Sequence, residues 1–201
     1  MWKHMAIGLT LCVLPLAARD SAACGARDCA LEDCPNLCST CYNLNGYKWC
    51  HASGDLAFVN TYNHTSDASL NNAYTWATNE INFPHNGLTN AMWIYSDGVN
   101  NYKHDIDIDV VSVNDWWWGI WNGCSPSRGC CKKGGGHITI NNHNISNIAK
   151  RERETYLHEM GHGIGLGHAC HCNQQMDPCE GCSVDPPFLS TCDATGVQHV
   201  D

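Results

Sequence analysis

Between Ser66 and Pro84 the apolar residues Leu70, Ala73, Tyr74, Ala77 and Ile81 recur at helical spacing. Ser66-Asp67 supplies a cap and Pro84 a stop, so the stretch predicts a helix. From His104 to Val113 the period changes to two. Ile106, Ile108 and Val110 fall on one side and Asp105, Asp107 and Asp109 on the other, the signature of a half-buried strand. Leu56-Ala57-Phe58-Val59 and Met92-Trp93-Ile94-Tyr95 read as shorter strands. Gly134-Gly135-Gly136 leads into another at His137-Ile138-Thr139-Ile140. A second helix is predicted from near Ser146 or Asn147, with Ile148, Leu157, Gly161 and Ile164 facing the core and Arg151 to Glu154 forming a solvated turn.

That second helix carries chemistry. His158-Glu159-Met160-Gly161-His162-Gly163-Ile164-Gly165-Leu166-Gly167-His168 reads HExxHxxGxxH. On a helix, residues four apart lie one turn apart on one face, so His158 and His162 can reach a single metal ion. Glu159 stands beside them, placed to touch a metal-bound water without ligating the metal. Gly165 suits a helix end in a left-handed turn, after which the chain doubles back and His168 adds a third nitrogen. Three imidazoles leave one position of tetrahedral Zn²⁺ open, the arrangement of a catalytic site with one zinc per chain. A bare HExxH would be far weaker evidence than these five fixed positions.

The eleven-residue motif resembles that of the metzincin zinc endopeptidases. Their second mark, a Met-containing tight turn beneath the zinc, has its counterpart in Gln174-Gln175-Met176-Asp177-Pro178. The spacing from His168 to Met176 is similar to that of the matrixin branch and the small bacterial matrixin-like enzymes. No Tyr follows two residues after Met176, unlike the astacin-like and serralysin-like branches. The resemblance implies a mixed α+β fold of the zincin type: a twisted, mostly parallel sheet with an antiparallel edge strand, two long helices and the Met-turn. It implies that Ile138, Thr139 and Ile140 form the edge strand on which substrate backbone pairs antiparallel. It also implies that residues 179–192 wall the pocket for the residue after the scissile bond. Glu159 would be the general base and acid, and Met176 a hydrophobic floor without ligating the metal. The substrate would be a protein or peptide.

Other features adjust this picture. Asp105, Asp107 and Asp109 offer hard oxygen ligands suited to Ca²⁺, against the competing reading of a solvated strand face. His137 and His143 are read as surface histidines rather than a second zinc site. Trp116-Trp117-Trp118 and Trp121 suit either core packing or an exposed aromatic platform. Residues 1–23 read as a secretory signal peptide, with an apolar run from Met5 to Leu16 and small residues at Ser21-Ala22-Ala23. Of 15 cysteines, one lies in that segment, six fall between Cys24 and Cys50 and eight lie from Cys124 onward. Both later groups are even, as disulfide pairing in an oxidising compartment requires. Thiolate zinc sites at Cys38-x-x-Cys41 and Cys179-x-x-Cys182 are the rival reading.

The expected organisation is a signal peptide (1–23), a cysteine-rich module (24–54), a catalytic domain (55–192) and an exposed tail (193–201). The module could be a spacer, an accessory unit or a pro-segment, and no PRCGxPD-like latency stretch is present. A formal charge of −9 with 11 Lys and Arg speaks against nucleic acid and anionic membranes as partners. No later stretch is apolar enough to insert stably in a membrane. Asn63 and Asn144 begin glycosylation sequons. Together these features predict a secreted, monomeric zinc endopeptidase. A secreted disulfide-rich binding protein on a catalytically silent metalloprotease fold is the alternative.

Overall fold

The computed structural model describes residues 44–45, 49, 57–83, 92–96, 98, 104–124, 131, 135–168, 175–176, 188–197 and 200. The expected signal peptide, most of the cysteine-rich module, and Asp177, Pro178, Cys179 and Cys182 lie outside these residues.

Among the described residues the chain runs β1 (Ala57–Asn63), α1 (Ala68–Asn82), β2 (Met92–Tyr95), β3 (Ile106–Val111), β4 (Gly119–Trp121), β5 (Gly136–Asn141), α2 (Asn142–Ile145), α3 (Ala149–Gly163) and α4 (Thr191–Val197). The strands form one sheet in the order β2-β1-β3-β5-β4. β1 pairs parallel with β2 and β3, and β3 parallel with β5; β4 runs antiparallel to β5. This is a mixed α/β fold with a mostly parallel sheet and an antiparallel edge strand.

α1 forms where the spacing predicts it. Asp67 accepts hydrogen bonds from the backbone of Ser69 and Leu70, and the helix ends before Pro84. All five predicted inward residues of α1 are buried. In β3, Ile106 and Ile108 are fully buried and register with Gly136 and Ile138 of β5. α1 packs on α3 and β2, while α3 also packs on β4 and β5. Each fully buried Leu or Ile in this layer contributes about 1.5–3 kcal/mol of transfer free energy.

α3 starts later than the spacing suggests. A short α2 precedes it, then Asn147 takes a left-handed φ of 61°, a conformation Asn tolerates better than most residues. Ile148 is therefore the N-cap and is 42% exposed rather than in the core. Glu152, expected in solvent, is buried: its carboxylate accepts from Asn147 N at 3.0 Å and Ser69 Oγ at 2.5 Å. It ties the starts of α1 and α3 together, where both helix dipoles favour a negative charge.

Three further expectations change. Ile138, Thr139 and Ile140 do not form the edge strand. They lie in β5, between β3 and β4, with Ile138 and Ile140 fully buried. Among the described residues the antiparallel edge is β4, three residues that follow Trp116-Trp117-Trp118. The exposed tail expected at 193–201 is not seen among its described residues, because α4 buries Asp193, Ala194 and Val197, and Val200 is buried beyond it. The tryptophans divide: Trp121 is in the core, Trp118 packs against the core and Trp116 is 60% exposed. Cys124 and Cys131 form a disulfide after β4. Among the described residues, no helix is long and apolar enough to cross a membrane.

The later start of α3 has a measurable consequence. Leu157→Ala should cost about 2–5 kcal/mol, as large-to-small core changes do. Ile148→Ala should stay within about 0.5 kcal/mol. Urea unfolding of both variants distinguishes this arrangement from one with Ile148 in the core.

Candidate metal centre and active site

The last turns of α3 hold His158, Glu159 and His162, all buried. The helix then stops as the motif predicts. Gly165 has φ 108°, its N–H donates to His162 O at 3.0 Å, and Leu166 N donates to Gly161 O at 2.9 Å. These are the two bonds of a Schellman end, and a side chain at residue 165 would strain the backbone that makes them. The reversal returns His168 to the helix face, with its ring centroid 5.3 Å from that of His158 and 4.8 Å from that of His162.

Backbone carbonyls orient two of the imidazoles. His158 Nδ1 lies 2.9 Å from Gln175 O, and His162 Nδ1 lies 2.8 Å from Leu166 O. A carbonyl only accepts, so both Nδ1 atoms carry the proton and both Nε2 atoms present lone pairs. Those Nε2 atoms face each other at 3.1 Å. His168 Nε2 is buried and has no hydrogen-bond partner among the described residues. Lone pairs aimed together in a buried place are unfavourable unless an electrophile joins them, and ligand atoms of all three residues lie within 4.8 Å of one another. The donor set fits Zn²⁺, for which imidazole nitrogens are normal ligands.

Burial also sets the protonation states. It lowers the His162 pKa far below the usual imidazole value, helped by neighbouring His158 and His168 and opposed by the Leu166 carbonyl. His168 falls to about 3, through burial and then His158. Both rings are held in the neutral form that metal binding needs. Glu159 moves the other way. Burial raises it to about 8, offset slightly by the approaching Trp121 amide, although neither carboxylate oxygen has a donor at full hydrogen-bonding geometry. A bound cation would draw this value down again.

The surroundings explain two glycines. A Cβ at Gly161 would collide with Met176 Sδ, so Met176 packs directly on α3 between the first two histidines. A Cβ at Gly119 would lie 2.5 Å from Glu159 Cγ and 2.7 Å from Oε1. Glu159 therefore lies against the edge strand β4, which makes that strand part of the site. Sequence reasoning passed over Gly119, because a three-residue strand directly after three tryptophans has no periodic signal.

It also passed over Asp193. This buried carboxylate accepts from Gln175 N at 2.9 Å, Ser190 N at 3.0 Å and Ser190 Oγ at 2.8 Å. Burial raises its pKa and these donors pull it back. Asp193 fixes the turn whose Gln175 carbonyl orients His158. No short motif marks it, since the contact spans 18 residues.

Asp105, just before β3, and Asp107 and Asp109 within it do not converge on a calcium site. Asp105 accepts from Asn60 N at 2.8 Å, Asp107 Oδ1 meets both His64 Nε2 and His104 Nδ1, and Asp109 meets His137 Nε2 at 2.8 Å. Each carboxylate is directed to its own donors. Among the described residues, His158, His162 and His168 alone form a group able to hold a metal ion. Asn144 donates its side-chain amide to Asp115 O and Trp117 O, which engages the nitrogen that glycosylation would modify.

No family model matches the chain, and no curated protein matches it. Among the solved structures similar to it in part are two zinc or metalloproteinase structures. One is high choriolytic enzyme 1, a hatching enzyme zinc-protease from Oryzias latipes (medaka fish). It is 18% identical with a TM-score of 0.35, over 60% of this chain and 50% of that one. The other is metalloproteinase-II from Bacteroides fragilis, 12% identical with a TM-score of 0.47, over 80% of this chain and 57% of that one. The chain thus spans about half the length of each, 50% and 57%. At this level of likeness neither carries functional weight.

The metal-free protein offers a test of the buried ionisations. A carboxyl whose folded pKa is raised to about 8 binds more protons folded than unfolded above pH 4.5, so its contribution to stability falls as pH rises towards 8. The depressed histidines act below pH 6.5, where the unfolded chain takes up protons that the folded site refuses. Between pH 6.5 and 8, metal-free wild type should lose up to about 1.4 kcal/mol per pH unit relative to Glu159→Gln. Denaturant unfolding of both proteins in chelator measures the difference. Parallel pH profiles would place Glu159 in a polar setting instead.

Proposed function

We propose that the chain is a secreted zinc endopeptidase of metzincin type, closest in its motif to matrixin-like enzymes. The observation that carries this reading is the convergence of three imidazoles, two of them buried and the third half-buried, beside a buried glutamate that lies along a sheet edge. Zinc held by His158, His162 and His168 would supply Lewis acidity, polarising a scissile carbonyl and acidifying water.

The chain's own groups supply the rest. The main chain of β4 offers an extended template for antiparallel pairing with a peptide, placing the bond to be cut near Glu159. Glu159 takes a proton from the attacking water and delivers it to the departing amine nitrogen, so one carboxylate serves as base and then acid. Its burial raises its basicity, and a bound cation's charge would favour its ionised form near neutrality. Met176 and Gly161 form the packed floor below the imidazoles and keep their spacing fixed. Glu159 also weighs against a silent binding protein, because a site that only holds zinc has no need of a buried carboxylate on this face.

The test is hydrolysis of casein by zinc-quantified protein with and without a hydroxamate chelator. Hydroxamate-sensitive cleavage is expected. Glu159→Gln should keep its zinc while kcat falls about 10²–10⁴-fold. Full turnover in that variant would remove Glu159 from the reaction. Zinc binding without cleavage of casein or of denatured proteins would favour the silent alternative.

A second variant addresses the edge strand. Gly119→Ala should fold and bind zinc normally yet lose on the order of 10² in kcat/KM, since a displacement of about 1 Å in a catalytic group has that effect. Unchanged kcat/KM would show that the contact between β4 and Glu159 is incidental.

A further inference from the structure

The C-terminal end of α3 can be accounted for carbonyl by carbonyl. Met160 O accepts from Ile164 N at 3.0 Å, Gly161 O from Leu166 N, and His162 O from Gly165 N. A Schellman end leaves the last carbonyl, that of Gly163, without a donor from its own turn. Trp49 Nε1 supplies it, at 2.9 Å in a buried contact. Asn45 Nδ2 adds a second donor to His162 O at 2.8 Å, and Asn45 N donates to Gly165 O at 3.0 Å. Leu44 bridges antiparallel to Leu166, and Trp49 bridges parallel to Cys131 in the disulfide-closed loop.

These donors belong to the cysteine-rich segment at 24–54, yet they sit on the most demanding part of the site. His162 is a predicted ligand and Leu166 O orients its ring. Gly165 is the hinge that returns His168. Trp49 is 7% exposed and belongs to the core. A segment that merely blocked the site would lie over the imidazoles. These residues instead bind the backbone at the helix end, and their loss would leave the Gly163 carbonyl buried and unpaired at a cost of about 1–3 kcal/mol.

We infer that Asn45 and Trp49 are positioning residues for the metal centre, and that these two residues, with Leu44, are an integral part of the catalytic unit rather than of a spacer or removable pro-segment. The inference rests on the zinc reading above. By clamping the turn from His162 to Leu166, the two side chains hold the second and third imidazoles at the spacing one ion requires. The group bonded behind the His162 ring is Leu166 O, on the turn these residues clamp, and loss of such a partner typically changes metal affinity about 10–100-fold.

The experiment uses the full chain. Trp49→Phe keeps the buried ring and removes only the N–H; Asn45→Ala removes the second clamp. Asn82→Ala is the comparison, because Asn82 pairs in both directions with the Ile94 backbone, in a contact that includes none of the metal-centre residues. Zinc affinity is measured by competition with a chromophoric chelator, and amide exchange at Gly165 and Leu166 in the metal-free protein. Trp49→Phe and Asn45→Ala should each weaken zinc binding about tenfold or more and speed exchange at those two amides. Asn82→Ala should lower stability and leave both readouts unchanged. Wild-type affinity and exchange in the two clamp variants would overturn the inference while leaving the zinc reading intact. A wild type that binds no zinc would overturn that reading and the positioning role together. Equal weakening in Asn82→Ala would reduce the effect to general stability.

Discussion

Three imidazoles must be pointed at one place with the right nitrogen of each left free, and the rest of the structure follows from that constraint. An imidazole has two nitrogens, and only the proton on one of them decides which lone pair is free. Here backbone carbonyls decide it, Gln175 O for His158 and Leu166 O for His162. Neither carbonyl lies on the helix. Each comes from a turn that must itself be fixed, one held by Asp193 and the other by the left-handed Gly165. The site is therefore only as well ordered as two short loops packed against α3.

This arrangement sacrifices local helix stability for close approach. Glycine in a helix interior is worse than alanine by about 1 kcal/mol, and α3 carries Gly161 where Met176 must fit. Propensity cannot hold such a helix, so burial does. Leu157 and Met160 are fully buried, and Glu152 ties the first turn to α1. The polar groups that remain inside are used. Asp193 gathers donors from Gln175, Met176 and Ser190, while Glu159 is left poorly solvated against β4, a setting that keeps a carboxylate basic.

What could be read from the sequence was local. The helical spacing of Leu70 to Ile81 and the period of two in β3 each have a physical repeat that survives as pattern. The HExxHxxGxxH stretch was legible because its geometry is confined to one turn and one reversal. What depended on neighbours in space was not. Alternation identifies β5 as a strand but says nothing of which strand lies beside it, so the edge was assigned to Ile138–Ile140 instead of Gly119–Trp121. Ile148 looked inward because the pattern runs on past the left-handed Asn147. Asp193, Asn45 and Trp49 act across 18 to 117 residues on groups that have no side-chain signature, since their partners are backbone atoms.

The central claim is that zinc binds to three histidine nitrogens with one position left open, in a chain whose many cysteines offer a plausible rival. X-ray absorption of the zinc-loaded protein separates the two by distance. The account predicts one zinc per chain, with three imidazole nitrogens at about 2.0–2.1 Å, one further light-atom ligand and no sulfur. A shell dominated by sulfur at about 2.3 Å would contradict it, because the metal would then be structural and bound elsewhere.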